Sequence, residues 1–131
     1  MKLSTKSRYG LKAAYILAQS GDNVVPLSTL SKEIGVSSAY IEQIMRLLKS
    51  RGIVESARGA SGGYVLARPA EKITLGEVIR ALEEDLEIVD CIGKKPCNGM
   101  CETKKVWEKI YDAINDTLDG MTLKDMCDDN I

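Results

Sequence analysis

Residues 26–64 read PLSTLSKEIGVSSAYIEQIMRLLKSRGIVESARGASGGY, and this stretch decides the fold. Ser28 stands where a side-chain oxygen caps a helix, and Leu30 and Ile34 of that helix point inward. Gly35 ends it with a residue free to turn left-handed, and Val36 locks the turn. A second helix starts at Ser37 or Ser38. Ile41, Ile44, Met45 and Leu48 fall at i, i+3, i+4 and i+7, the spacing of one buried face. Gly52 stops this helix. Residues 53–56 and 64–67 are then two short strands around the hairpin Arg58-Gly59-Ala60-Ser61-Gly62-Gly63. Helix, tight turn, helix, strand, glycine-rich hairpin and strand is the order of a winged helix-turn-helix. The expected fold class is mainly α with a small β wing, followed by a long C-terminal helix suited to dimerisation.

Working outward, the face of the second helix opposite its apolar side shows Ser38, Glu42, Gln43, Arg46 and Lys49. Cations there meet phosphates, and carboxylate and amide groups read base edges in a major groove. A solvated helix face has the same composition. What separates the two readings is the hairpin, which places Arg58 where a wing reaches the neighbouring groove. Gly59, Gly62 and Gly63 allow backbone to approach a phosphate closely. The expected DNA-contacting set is Ser38, Tyr40, Glu42, Gln43 and Arg46 on the helix, with Arg58, Gly59, Ser61, Gly62 and Gly63 on the wing.

The charge distribution agrees. The formal net charge of −1 hides an asymmetry. Residues 1–68 carry ten Lys and Arg against four Asp and Glu, whereas residues 69–131 carry eight against fifteen. A basic first half suits phosphate contacts, and an acidic second half is repelled by them. The chain has no histidine, which excludes a Ser-His-Asp triad, a Cys-His dyad and any His-ligated metal within it. No acid–base pair supports an enzyme.

Around the central stretch, a first helix is expected from about residue 5 to 19, with Tyr9, Leu11, Ala14, Tyr15, Leu17 and Ala18 on its apolar side. After the wing, Thr74 and Glu77 form a capping box opening a helix that buries Val78, Ile79 and Leu82. A long helix follows at about residues 103–120. Trp107, Ile110, Tyr111, Ile114 and Leu118 line one stripe on it. The stripe exceeds what one small domain needs, and a single winged helix reads only a half-site, so these residues are expected at a homodimer interface. The domain reading is 1–70 for the DNA-binding unit and 71–131 for a helical arm. No apolar run is long enough to cross a bilayer, and the first residues lack the layout of a secretion signal, so a cytoplasmic location is expected.

Between these two C-terminal helices, at about residues 90–102, lies Cys91-x5-Cys97-x3-Cys101, with Cys127 distant. Three cysteines within eleven residues, separated by Gly and Pro, do not resemble core packing. Thiolates bind iron–sulfur clusters and zinc, and Lys94, Lys95 and Lys104 lower thiol pKa values. The spacing does not choose between a cluster, zinc and a thiol switch.

The chain resembles the Rrf-type family of small bacterial winged-helix regulators that includes IscR, NsrR and CymR. The resemblance covers nearly the whole length. It is carried by the opening MKLSTKSRYG of residues 1–10, by Pro26-Leu27-Ser28, by Tyr40-Ile41-Glu42-Gln43, by residues 58–66 and by residues 73–79. It implies a homodimer on a palindromic double-stranded DNA operator. It also implies an iron–sulfur cluster, 2Fe–2S in the IscR pattern, held by Cys91, Cys97 and Cys101. Glu42 and Gln43 fall where the family reads bases. Three departures stand out. The segment between the second and third cysteines is shorter than in the best-known members. Lys104 stands where the IscR branch has a histidine. Arg8 stands where NsrR-like members supply an aspartate from the partner's first helix. The fourth ligand stays open among Glu102, Cys127 and another acidic side chain. Two alternatives remain: a CymR-like regulator without a cluster, governed by a cysteine-metabolism enzyme or by thiol oxidation, and an iron–sulfur electron-transfer or carrier protein.

Overall fold

The computed structural model describes residues 2–58, 62–83, 86, 88 and 102–131. Six α-helices and one hairpin make up the described chain: α1 (Thr5–Ser20), α2 (Leu27–Ile34), α3 (Ser38–Ser50), β1 (Val54–Ala57), β2 (Gly63–Leu66), α4 (Leu75–Leu82), α5 (Lys104–Asp119) and α6 (Leu123–Cys127), with a 3-10 turn at Ala70–Lys72. The mainly helical winged-helix architecture read from the sequence is the one found.

The helix-turn-helix is built from short-range causes. α2 begins one residue before the expected Ser28 cap. Pro26 occupies the N-cap position at φ −63°, and no side chain caps the helix. Proline is fixed near that φ, so it sets the start of the helix without a hydroxyl. Gly35 ends α2 in the left-handed region at φ +83°. The hydroxyl of Ser31 donates to the Val36 carbonyl and ties off the turn. The Ser37 side chain then accepts from the Tyr40 N–H and caps α3. At its far end, the Gly52 N–H donates to Lys49 O and the Ile53 N–H to Leu48 O, both at 3.0 Å. That pair, with Gly52 at φ +70°, is a Schellman closure, and it turns the chain directly into β1.

β1 and β2 pair antiparallel, with Val54 opposite Leu66 and Ala57 opposite Gly63. Each strand is displaced by one residue from its sequence estimate, β1 toward the C-terminus and β2 toward the N-terminus. Tyr64 also bridges Val25, its N–H donating to Val25 O at 2.9 Å and its carbonyl accepting from Val25 N–H at 3.0 Å. The segment before α2 therefore widens the wing's base.

One core joins these parts. Leu17 of α1, Leu30 of α2, Ile41, Ile44, Met45 and Leu48 of α3, and Ile53 are fully enclosed. Ile73, Val78 and Leu123 belong to the same cluster. It therefore runs across position 70, where the sequence divides the DNA-binding unit from the arm. Residues 121–123 return alongside residues 73–75: the Leu75 N–H donates to Met121 O at 2.8 Å, and the Leu123 N–H donates to Ile73 O at 3.0 Å. Thr74 and Thr122, opposite each other there, head capping boxes with Glu77 and Asp125. Among the described α-helices α5 alone has no fully buried residue, and it meets the body chiefly at α4.

Candidate nucleic-acid interface

α3 presents two chemically opposed sides. Ile41, Ile44, Met45 and Leu48 are sealed in the core, and this fixes the rotation of the helix. Ser38, Glu42, Gln43 and Arg46 consequently face solvent together. Tyr40 is half-buried. Its ring meets that of Tyr9 on α1 edge-on, with centroids 6.0 Å apart at 88°. This residue therefore sets the position of α3 relative to α1 as well as bordering the exposed face.

The wing is tied to the same surface. Lys49 Nζ at the end of α3 donates to Ser56 Oγ on β1 at 3.1 Å. Tyr64 on β2 lies in the field of the exposed α3 face: burial pushes its phenol upward, Glu42 adds to the rise and Arg46 opposes it. Arg58 follows β1 and is exposed. Gly59 and Ser61 lie outside the described residues. Gly62 and Gly63 are half-buried. At Gly63 the missing side chain already has a use inside the fold, because a Cβ there would stand 2.3 Å from Val25 O. Lys49 and Tyr64 thus link the wing to the exposed side of α3. Tyr64 shows as an alternating strand residue in sequence, and only the fold brings it within the electrostatic reach of Glu42 and Arg46.

Cys91, Cys97 and Cys101 lie outside the described residues. In sequence they fall between Glu83, the C-cap of α4, and Thr103, ahead of α5. Glu83 itself reaches back to the first helix. Its Oε1 accepts from the Ser4 N–H and, at 2.7 Å, from the hydroxyl of Ser7, which is only 2% exposed. Burial pushes the Glu83 carboxyl up, but the hydrogen bonds from Ser4 and Ser7, with Lys6 nearby, outweigh it and hold the group below its ordinary value. Among the described residues no group of three or more His, Cys, Asp or Glu is arranged to hold a metal ion. Cys127 is a free, half-buried thiol, raised by burial and by Asp128 against the pull of Lys124.

On α5, Trp107, Tyr111, Ile114 and Leu118 are half-buried and Ile110 is 39% exposed. Val106 beside them is 56% exposed. No described helix is long and apolar enough to cross a membrane.

A helix-turn-helix whose second helix offers a polar, cationic face beside a two-stranded wing defines a winged-helix DNA-binding protein. The chain belongs to the Rrf2 family: the family model described as an iron-dependent transcriptional regulator matches residues 3–129. It is 38% identical over 133 residues to the HTH-type transcriptional regulator IscR of Vibrio campbellii, an alignment covering 99% of this chain and 79% of that protein. Among solved structures it is similar to T. potens IscR, at 39% identity and a TM-score of 0.82, covering 100% of this chain and 89% of that one. It is similar also to CymR, the global cysteine regulator of B. subtilis, at 35% identity and a TM-score of 0.84, covering 96% and 95%. The protein is an IscR-like DNA-binding transcription regulator, and its relatives are regulators rather than enzymes.

Proposed function

We propose that two copies of this chain, joined through α5, bind a palindromic operator and report iron–sulfur or redox status through Cys91, Cys97 and Cys101. The observation that carries the DNA contact is the exposure of Ser38, Glu42, Gln43 and Arg46 opposite a fully buried face, with an exposed Arg58 following β1. Glu42 and Gln43 read bases, and Arg46 and Arg58 hold phosphate or guanine. The dimer contact is supported by the apolar stripe of α5, which the described chain covers only in part, leaving Ile110 and the neighbouring Val106 exposed. Two-fold symmetry then sets the half-sites about 10 bp apart, centre to centre, or a multiple of that. Arg46→Ala and Arg58→Ala should each weaken operator binding in a filter or gel assay. Unchanged affinity in both would refute the interface.

The donor set suits an iron–sulfur cluster: three thiolates in one short segment, with Lys94, Lys95 and Lys104 to offset the charge of the ligated group. When bound, such a group supplies a state that responds to iron and oxidant supply. The chain's own part is to supply the three thiolates from the segment that joins α4 to α5 in sequence, and so to shift the population of DNA-binding geometries. Iron and acid-labile sulfide near stoichiometry in anaerobically purified protein would support this reading. Absence of iron after reconstitution would leave the thiol- or partner-controlled reading, which the likeness to CymR favours.

A further inference from the structure

α5 is rooted in the body at one end. The backbone bonds between residues 73–75 and 121–123 pin the chain where α5 finishes. Along its length α5 encloses no residue fully, and its main packing partner among the described elements is α4.

A polar grip joins the two helices one turn further back. Arg80 on α4 donates from Nη1 to Asp119 Oδ1 at 2.7 Å and from Nη2 to Asp119 Oδ2 at 3.0 Å. The same Nη2 donates to Asn115 Oδ1 at 2.7 Å, and Asn115 Nδ2 donates to the Tyr111 carbonyl at 2.9 Å. One planar guanidinium thus engages two successive turns of α5. Gly76 makes room for it. A Cβ at that position would stand 2.2 Å from Asp119 Oδ1 and 2.7 Å from Arg80 Nη1. Glycine inside a helix is unfavourable relative to alanine, so its presence here fits a requirement for space.

The grip is poorly suited to a stability role. The Arg80 and Asp119 side chains are 38% and 49% exposed, and ion pairs so open to water add little to folding. A bidentate fork contributes direction instead. Its other anchor is firm, because Val78 and Leu75 root α4 in the core, where α4 packs against α1 and α3.

We propose that Arg80, with Asp119 and Gly76, is the positioning device that sets the angle of α5 to the winged-helix body and hence the half-site spacing the dimer accepts. The inference rests on the reading of α5 as the contact between copies. A change of angle at this grip moves one recognition helix relative to its symmetry mate and leaves each body intact.

The test uses the full chain and an operator selected from genomic fragments. Duplexes carry the two half-sites at native spacing, or one base pair closer or further apart, and a fourth duplex carries one half-site. Wild type, Arg80→Met, Arg80→Lys and Gly76→Ala are titrated against all four, with sedimentation and thermal melting alongside. Arg80→Lys keeps the charge but loses the fork. Gly76→Ala displaces the pair while removing no charge and improving helix propensity. In each variant, discrimination between spacings should fall by about tenfold, the scale of coupling between two sites. Single half-site affinity and dimerisation should stay as in wild type. The exchange Arg80→Asp with Asp119→Arg should restore part of the discrimination. Wild-type discrimination in the variants overturns the inference, as does a parallel loss on every duplex that tracks a lower Tm. A wild-type chain that is monomeric on its operator overturns the reading beneath it.

Discussion

α3 and α5 carry the same kind of sequence and have opposite surroundings. Each is amphipathic, with apolar residues recurring at three- and four-residue intervals over thirteen and sixteen residues. In α3 every residue of that series is sealed: Ile41, Ile44, Met45 and Leu48 are wholly out of water. In α5 none is. The periodicity says that a helix has a side to cover. It does not say whether the cover comes from the same chain. For α3 the cover is internal, and the helix is left with a polar face to offer DNA. For α5 the apolar side itself is what remains to be offered.

The comparison breaks most visibly at the core. Ile44→Ala should cost about 2–5 kcal/mol of folding stability, measured by urea denaturation, because the site is closed and collapses poorly. The matching change on α5, Ile110→Glu, should leave the fold of each chain intact. It should convert a dimer to a monomer in sedimentation, since each copy loses on the order of 1.5–3 kcal/mol of apolar burial and gains a charge facing its own image. If Ile110→Glu instead unfolds the chain, α5 is an ordinary core helix.

A smaller effect sharpens the account of the wing. Gly63→Ala would press a methyl group onto the Val25 carbonyl, carbonyl carbon and Pro26 Cα, all of them backbone. A cost of about 1–3 kcal/mol is expected, with faster hydrogen exchange at the Val25 and Tyr64 amides. The smallest effect concerns Glu83. Its carboxyl sits below its ordinary value in the fold, so its contribution is complete above the ordinary carboxylate value and is lost as pH falls through the lowered one. Melting temperatures of wild type and Glu83→Gln should therefore differ at neutral pH and converge on acidification. A constant difference would assign the effect to packing.

Much of this was legible beforehand, for physical reasons that differ by element. The α3 face follows from helical period alone. The Thr74–Glu77 box and the Gly35 and Gly52 stops follow from backbone chemistry within four residues. The start of α2 is ambiguous in sequence because Ser28 offers a hydroxyl while Pro26 acts through its ring, and the structure uses Pro26. Each strand was displaced by one residue because pairing across a hairpin, rather than local propensity, sets strand ends. The contacts of Glu83 with Ser4 and Ser7, and of Arg80 with Asp119, span 76 to 79 and 39 residues respectively, and no local pattern marks them. Gly76 was a partial signal, since glycine within a strong helical pattern asks for a reason. At Gly63 the sequence suggests phosphate approach, and the fold adds a second need for the missing side chain, the closeness of the Val25 carbonyl.

The central claim is that the polar face of α3 reads one half-site and the apolar face of α5 supplies the second reader. Sedimentation equilibrium of the protein on its selected operator duplex tests both at once. The account predicts two chains per duplex for wild type, falling to one weakly bound chain for Ile110→Glu. One wild-type chain per duplex, or two chains still bound per duplex with Ile110→Glu, would contradict it.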